Sequence, residues 1–177
     1  MKISTRAISL TALFTALICV LSPLTIPMPI GVPITLQTFI IAFAAFLLGT
    51  KYSAAAVICY ILIGVTGLPV FSGFAAGAAA LLSPTGGFIF AFPVYAVLLS
   101  LMFYVNKFTA KAALYISALA VLYISGTVQF IILTGTSAAT AISAFILYFV
   151  KDAVLVFAAY LLCVRIRPGI IRYMHLK

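Results

Sequence analysis

The chain has 177 residues, of which 67% are hydrophobic and 6% are charged, and its mean hydropathy is +1.39. Charged residues are too few to cover a water-soluble domain of this length, so the surroundings must be largely lipid. The net charge of +9 comes from Lys and Arg residues scattered between apolar runs, which argues against a nucleic-acid binder.

Six apolar runs separated by Gly, Pro or basic residues predict an all-α integral membrane protein with six transmembrane helices. We expect them to form a single membrane domain over residues 1–177. The first run follows a basic start, as in a signal peptide, but no small-x-small cleavage site precedes a soluble region, so we interpret it as the first span. The predicted spans are residues 6–23, 34–49, 52–67, 87–105, 109–134 and 139–164.

The connections between these runs alternate between basic and uncharged. Lys51, Lys107 and Lys111 lie in connections that the predicted topology puts on the same side as both termini. The positive-inside rule assigns this side to the cytoplasm and predicts a multi-pass protein of a prokaryotic plasma membrane, with both termini cytoplasmic. The basic groups of the two termini are Lys2, Arg6, Arg165, Arg167, Arg172, His175 and Lys177.

Two long uncharged connections, residues 22–35 and 67–87, are unusually apolar for loops. The first alternates proline with large apolar residues, and the second is almost entirely apolar or small. Backbone of this kind is tolerated near a membrane only when it is buried in protein or lines a cavity. We therefore expect both external loops to fold over a ligand pocket. The alternative is a hairpin that lies on the lipid headgroups. The prolines of the first connection are Pro23, Pro27, Pro29 and Pro33.

Asp152, the only acidic residue, lies inside the sixth predicted span beside Lys151. A charge at the bilayer centre costs about 2.5–3.5 kcal/mol on insertion scales, so such residues usually face the interior and mark a substrate or proton path. The alternative is structural pairing. Because adjacent helix positions do not face each other, we expect Lys151 and Asp152 to find separate partners.

Several kinds of chemistry are disfavoured by the sequence. One carboxylate cannot form an acid/base pair, a dicarboxylate metal site or an aspartyl-protease dyad. His175, in the basic tail, is interpreted as solvated or facing headgroups. Cys19, Cys59 and Cys163 have neither metal-binding nor disulfide-framework spacing. We predict neither an enzymatic activity nor a cofactor, and without a P-loop any ATP hydrolysis must come from other chains.

Two of the predicted spans carry polar residues whose spacing suggests a role. Ser125 and Gln129 share one helix face, for which we favour interhelical hydrogen bonding over a polar strip. Thr35 precedes Gln37 at the start of the second span and can cap that helix. Gln37 is well placed for the external pocket, and the capping and pocket roles are equally favoured by the sequence.

Three segments resemble the BioY family, the biotin-specific substrate-binding (S) components of energy-coupling-factor (ECF) vitamin transporters. They are TLQTF at residues 35–39, GVTGLPVF at 64–71 and SPTGGF at 83–88. The combination in this order is specific, and the match runs through most of the chain. The resemblance implies a six-helix protein that captures biotin from outside, with a transmembrane coupling protein and two ATPases that drive release inward.

Asp152 resembles an Asp on the sixth helix of this family. Leu155 stands three positions later, where the family often has Lys, and Leu147-Tyr148 stands where a Pro-aromatic pair is expected. Lys151 is the candidate replacement for that Lys. A shifted alignment that puts Tyr148 at the Asp position is disfavoured because it leaves Asp152 without a role.

The resemblance also implies roles for side chains. Asp152 is expected to accept a ureido N–H of biotin and Lys151 to neutralise its carboxylate, while aromatic residues cover its apolar body and neutral donors complete the site. Ala12 and Ala16 match the small-residue motif by which S components dock on the coupling protein. The expected ligand-binding residues are Thr35, Gln37, Phe71, Thr85, Gly86, Phe88, Tyr148, Lys151 and Asp152.

Two other functions stay open on the sequence alone. One is an S component for another vitamin. The other is a proton-coupled transporter or intramembrane enzyme in which Asp152 titrates. The expected partners are biotin, membrane lipid, the coupling protein and two ATPase subunits, and no nucleic acid is expected.

Overall fold

The computed structural model describes residues 4–28 and 32–175, without the side chain of His175. Lys2 and Lys177, used to predict the topology, and Pro29, used to predict the first external loop, lie outside the described residues. The solvated or headgroup-facing side chain expected for His175 lies outside them too. The described part folds into seven α-helices, one two-stranded sheet and a short 3₁₀ turn at Ser72–Phe74. The helices are α1 Thr5–Leu21, α2 Gln37–Leu48, α3 Thr50–Val65, α4 Ala78–Leu81, α5 Gly86–Leu101, α6 Phe108–Thr134 and α7 Ala138–His175.

The prediction of an all-helical architecture is confirmed, and each of the six apolar runs contains one long helix. Three boundaries differ from the sequence interpretation by three residues or more, and one of them is the end of α5, at Leu101 and not at residue 105. Residues 34 and 35 form strand β2, Ile34–Thr35, which pairs antiparallel with β1, Thr25–Ile26, instead of beginning the second helix. Helix α7 continues well past residue 164 through Pro168, because its last turns pack on the bundle and Met174 is buried.

Helix lengths differ greatly among the apolar runs. Within the described residues, α6 and α7 are long and apolar enough to cross a bilayer, whereas α1, α2, α3 and α5 are apolar helices of 10–17 residues. A helix rises about 1.5 Å per residue, and the hydrocarbon core of a bilayer is about 30 Å thick. Helix length by itself therefore identifies two spans in this part of the chain.

Helix α2 lies at the centre of the bundle. It is buried on all sides from Ile40 to Leu48 except for Phe43, and it packs against α1, α3, α5 and α7. A helix that is apolar all round is stable only when other elements cover every face. Its alanines let the neighbouring helices approach closely. The side chains at the start of α2 therefore open directly into the interior.

Helices α5 and α6 touch through glycines and hydrogen bonds. A Cβ atom on Gly87 would lie 2.3 Å from the carbonyl oxygen of Ser125. The Ser125 hydroxyl donates to the Gly87 carbonyl at 2.8 Å, and the Gln129 amide donates to the carbonyls of Leu81 and Ser83 at 2.7 and 2.8 Å. The interhelical hydrogen bonding predicted for Ser125 and Gln129 is confirmed. It ties the connection before α5 to α6.

Both long connections pack onto the helices. Phe71 is 1% exposed and meets the Tyr60 ring edge-on, at 5.5 Å between centroids. Glycine at position 64 makes this possible, since a Cβ there would lie 2.2 Å from the Phe71 ring. In the β1–β2 hairpin, the Val32 carbonyl accepts a hydrogen bond of 2.6 Å from Tyr148 of α7. The two connections thus form two walls of one cavity.

Candidate ligand-binding site

An internal cavity lies where the two long connections meet the helices. Its lining comes from the β1–β2 hairpin, the start of α2, the connection before α5, and helices α5, α6 and α7. Most of these side chains are aromatic or aliphatic, and a few hydroxyl, amide and charged groups lie among them. Apolar walls with a small number of placed polar groups are typical of small-molecule sites.

The structure brings most of the predicted ligand-binding residues around this cavity. Gly86 is the exception and does not line it. A Cβ on Gly86 would lie 1.9 Å from the Leu81 carbonyl oxygen, so the residue serves close backbone packing. Ala12 and Ala16 are exposed on the outer face of α1, away from the cavity. The predicted residues that line the cavity are Thr35, Gln37, Phe71, Thr85, Phe88, Tyr148, Lys151 and Asp152.

The carboxylate of Asp152 is 5% exposed and accepts from three described side chains. Thr38 of α2 donates to Oδ1 at 2.6 Å, and Tyr123 of α6 donates to Oδ2 at 2.7 Å. The Lys151 ammonium lies 2.6 Å from Oδ1. A buried charge is tolerated when it is paired and hydrogen-bonded, and Asp152 meets both conditions.

The expectation that Lys151 and Asp152 would not pair is wrong. Their Cβ atoms do point in different directions from the helix. However, the four-carbon stem of Lys151 is long enough to bring its ammonium back to the carboxylate. The same ammonium donates to the Thr35 carbonyl at 3.1 Å. Lys151 therefore joins α7 to the hairpin while it neutralises Asp152.

Buried tyrosines orient the polar groups at the start of α2. Tyr95 is fully buried and donates to the Thr38 carbonyl at 3.1 Å. The Gln37 amide donates to the hydroxyl of Tyr60 at 2.6 Å. The Thr35 hydroxyl accepts the backbone N–H of Gln37 at 3.3 Å, but the N-cap residue of α2 is Leu36, so Thr35 acts from one position before the cap that was expected of it. The Gln37 side chain therefore both hydrogen-bonds Tyr60 and lines the cavity.

Sequence reasoning missed Thr38 and Tyr123. Thr38 stands next to Gln37 in the TLQTF segment, and that proximity is the only signal for it. Tyr123 lies three positions before Gly126 on α6. A Cβ on Gly126 would be 2.3 Å from the Phe88 ring, so this face of α6 meets α5 closely. A stripe of Tyr, Gly and Gln at positions 123, 126 and 129 could have indicated an interior face.

Aromatic rings form one wall of the cavity. Phe88 meets both Tyr123 and Phe145 edge-on, at 5.7 Å between centroids in each case. Phe145 in turn meets Tyr148 at 6.0 Å. Edge-to-face aromatic pairs contribute about 0.5–1.5 kcal/mol beyond the burial of their area, so this wall is rigid.

The arrangement combines an apolar slot with one ion pair at its polar end. Such a site can hold a ligand that carries adjacent hydrogen-bond donors and acceptors on an otherwise apolar body. Among residues 4–28 and 32–175, no group of three or more His, Cys, Asp or Glu side chains could hold a metal ion.

Comparisons with known proteins agree on one family. A sequence model of the BioY family matches residues 1–172. The biotin transporter BioY of Thermotoga maritima is 43% identical over 97 residues, which are 55% of this chain and 57% of that protein. The biotin transporter BioY2 of Lactococcus lactis subsp. cremoris is 46% identical over 94 residues, 53% of this chain and 51% of that protein. The matches thus span about half the length of these curated relatives.

A solved structure extends the similarity to the whole fold. It is described as the S-component for biotin from an ECF-type ABC transporter. The superposition covers 96% of this chain and 95% of that one, with a TM-score of 0.82 and 25% sequence identity. The helices of the two chains therefore share one arrangement over nearly their full length.

Proposed function

The chain belongs to the BioY family, and on that premise we propose that it binds biotin with high affinity as the S component of an ECF-type transporter. The observation that carries this proposal is the ion pair of the buried Asp152 and the partly exposed Lys151 at one end of an aromatic cavity. In this function the chain captures its ligand and performs no chemistry of its own.

The ion pair fits the ureido group of biotin. Lys151 and Asp152 lie 2.6 Å apart, so both face the same end of a ligand. A ureido group presents N–H donors beside a carbonyl acceptor. A carboxylate has about four acceptor positions, and three donors reach Asp152, which leaves one for a ureido N–H. The Lys151 ammonium donates to the ureido carbonyl in the same plane.

We propose a role for Lys151 other than neutralising the biotin carboxylate, which the resemblance implied. The valeryl chain of biotin separates its carboxylate from its ureido ring, so one ion pair cannot hold both ends. We assign the carboxylate to neutral donors at the connection before α5. There, the Ser83 hydroxyl donates to the Ala80 carbonyl at 2.7 Å, and the Thr85 hydroxyl lies 3.2 Å from it. Thr85 is therefore the hydroxyl that can turn its proton to the ligand carboxylate. Ser72 also lines the cavity, and its buried hydroxyl has no partner among the described residues.

Aromatic residues cover the apolar body of the ligand in this proposal. Phe71 comes from the second connection, Phe88 from α5 and Tyr148 from α7, so three separate elements would surround the fused ring. Each is buried or half-buried before any ligand enters. A preformed slot reduces the entropy lost on binding, which favours high affinity.

In the membrane, we propose that α1, α2, α3, α5, α6 and α7 form a six-span domain over residues 1–177, with both termini cytoplasmic. The alternation of basic and uncharged connections supports this topology. The fold shared with a solved S component supports it as well. On this arrangement the cavity opens toward the outside of a prokaryotic plasma membrane.

The outer face of α1 is the proposed docking surface for the coupling protein. Ala12 and Ala16 are exposed there, and Ile8 and Val20, one turn beyond at each end, are 55% and 65% exposed. Small side chains at the centre of such a face allow a second helix to approach closely. Two ATPase subunits would supply the energy, because the sequence contains no P-loop.

Biotin binding to the purified protein tests the proposal. We expect isothermal titration calorimetry to show tight binding, and Asp152→Asn to weaken it at least about tenfold, roughly 1.4 kcal/mol. The variant loses the charge that neutralises Lys151 and accepts the ureido N–H. Lys107→Gln is the matched control, since it also removes one charge but lies outside the cavity. Native affinity in Asp152→Asn would remove Asp152 from the site.

Two outcomes would replace this function with another. Absence of biotin binding, together with a thermal shift from a different vitamin, would assign another specificity. Intact binding by Asp152→Asn with loss of uptake would instead favour a proton-coupled mechanism in which Asp152 titrates.

A further inference from the structure

Tyr123 stands between two separate spaces in the protein. It lines the ligand cavity, and it also lines an apolar groove between α6 and α7. Phe145 is the other residue shared by both spaces. At this position the ligand cavity and the groove are therefore separated by a single layer of side chains.

The groove opens away from the bundle. Its floor and walls come from both helices and are almost entirely apolar, with Ile124 and Val128 from α6 facing Ile142 and Ile146 from α7. Ile124, Ile142 and Ile146 are 64%, 60% and 61% exposed within the described chain. In the proposed membrane orientation, this surface meets hydrocarbon. The Tyr123 side chain would then lie between lipid chains in the groove and the ligand cavity that holds Asp152.

Contacts of both the hydroxyl and the ring hold the Tyr123 side chain in place. Its hydroxyl donates to Asp152 Oδ2 at 2.7 Å. Its ring meets Phe88 edge-on at 5.7 Å and Phe149 at 5.3 Å. Phe88 is itself seated against Gly126, where a Cβ would overlap its ring. The ring therefore has little freedom to swing out of the wall.

We propose that Tyr123 is a positioning and specificity residue of the ligand site. Its hydroxyl orients the Asp152 carboxylate toward the ligand, and its ring keeps acyl chains of the membrane out of the cavity. This inference rests on the proposed function as a biotin-binding S component. An apolar aromatic slot is as favourable for an alkyl chain as for the ring of biotin. Specificity consequently requires polar contacts and also a partition, by which we mean the Tyr123 ring that separates the cavity from the groove.

Two substitutions of Tyr123 test the positioning role and the partition role separately. Tyr123→Phe keeps the ring and removes the hydroxyl, so biotin binding should weaken about tenfold. Because the partition is intact, added 1-decanol should leave this affinity unchanged, as it should for the native protein. Calorimetry or a fluorescent biotin conjugate measures both effects in the same detergent.

Tyr123→Ala removes the ring and joins the cavity to the groove. We expect its biotin affinity to be lower than that of Tyr123→Phe and to fall further as 1-decanol is added. A merely structural role would not create this competition. Ile124→Ala is the control, because Ile124 lines the groove and not the cavity. Thermal unfolding of each variant establishes that it is folded.

The possible results distinguish failure of the roles inferred for Tyr123 from failure of the proposed biotin-binding function. If native protein binds biotin and 1-decanol competes no better in Tyr123→Ala than in native protein, the partition role is overturned. If Tyr123→Phe binds with native affinity, the positioning role is overturned. Native protein that binds no biotin overturns the proposed function, and the inference with it.

Discussion

At the scale of single residues, the buried carboxylate of Asp152 organises the site. Its oxygens hold together α2 through Thr38, α6 through Tyr123 and its own helix through Lys151. Removing one member of a buried charge pair typically costs about 3–5 kcal/mol, because the other charge stays buried without compensation. Substitutions of Asp152 or Lys151 should therefore lower both stability and ligand affinity. A substitution that removes only an uncharged hydrogen-bond donor should affect stability less.

Thr38→Val is such a limited change. It keeps the shape of the side chain and removes the donor to Asp152 Oδ1 at 2.6 Å, so the carboxylate is less firmly oriented. A hydrogen bond to a charged group contributes about 1.5–3 kcal/mol, and we expect biotin affinity to fall about tenfold or more. Titration calorimetry checks this result.

Thr15→Val provides the matched comparison for Thr38→Val. Thr15 is also a buried threonine, but its hydroxyl donates away from Asp152, to the Thr11 carbonyl of α1 at 2.9 Å and the Ala56 carbonyl of α3 at 3.3 Å. Its replacement should leave biotin affinity unchanged. Equal losses in the two variants would contradict a specific role for the Thr38 hydroxyl.

At the scale of helices, the cavity depends on close backbone contact between α5 and α6. Gly87 and Gly126 allow this contact, and Gln129 fixes the connection before α5 to α6. That connection carries Thr85, the proposed hydroxyl donor to the ligand carboxylate. Helix packing thus sets the position of a site wall that has little regular structure of its own.

Gly87→Ala should destabilise the protein. The new methyl group would lie 2.3 Å from the Ser125 carbonyl oxygen, so α5 and α6 must separate. Overpacking of this kind typically costs about 1–3 kcal/mol. We expect the midpoint of thermal unfolding to fall by several degrees in detergent.

Gly169→Ala is the control for this destabilisation. Gly169 also lies within a helix, but a Cβ there meets nothing within 4 Å. Alanine is the better helix former, so stability should be unchanged or slightly higher. A similar loss of stability in both variants would show that helix contact is not the cause.

At the scale of the whole molecule, the distribution of charge determines the proposed orientation in the membrane. Helices α1, α2, α3 and α5 are shorter than a typical span, so length alone does not place their ends. Lys51, Lys107 and Lys111 mark the connections that the positive-inside rule retains in the cytoplasm. The connection at residues 135–137 between α6 and α7 carries no charge and is assigned to the outside.

Cysteine labelling tests this orientation. In a background where Cys19, Cys59 and Cys163 are replaced by Ala, we expect Ser137→Cys to react with a membrane-impermeant maleimide in intact cells. Lys107→Cys should react only after the membrane is permeabilised. Both positions are exposed in the folded chain, so a difference in labelling reports the side of the membrane. The reverse pattern would refute the proposed topology.

Composition and apolar periodicity determined the helical class and the position of each long helix. In lipid, backbone polar groups must be satisfied within the segment, so a long apolar run has few alternatives to a helix. The interior position of Asp152 also followed from sequence, since a lipid-facing carboxylate is too costly. The TLQTF, GLPVF and SPTGG segments added the family and several residues of the cavity, among them Thr35, Gln37, Phe71 and Thr85.

Only the tertiary structure decided how these residues meet. The pairing of Lys151 with Asp152 depends on the path of a long flexible side chain, which helix geometry alone does not predict. The contacts of Thr38 and Tyr123 with the carboxylate join helices far apart in the chain. A hydrogen bond needs its atoms within about 3 Å, and distances that short between α2, α6 and α7 are set only when the helices pack together.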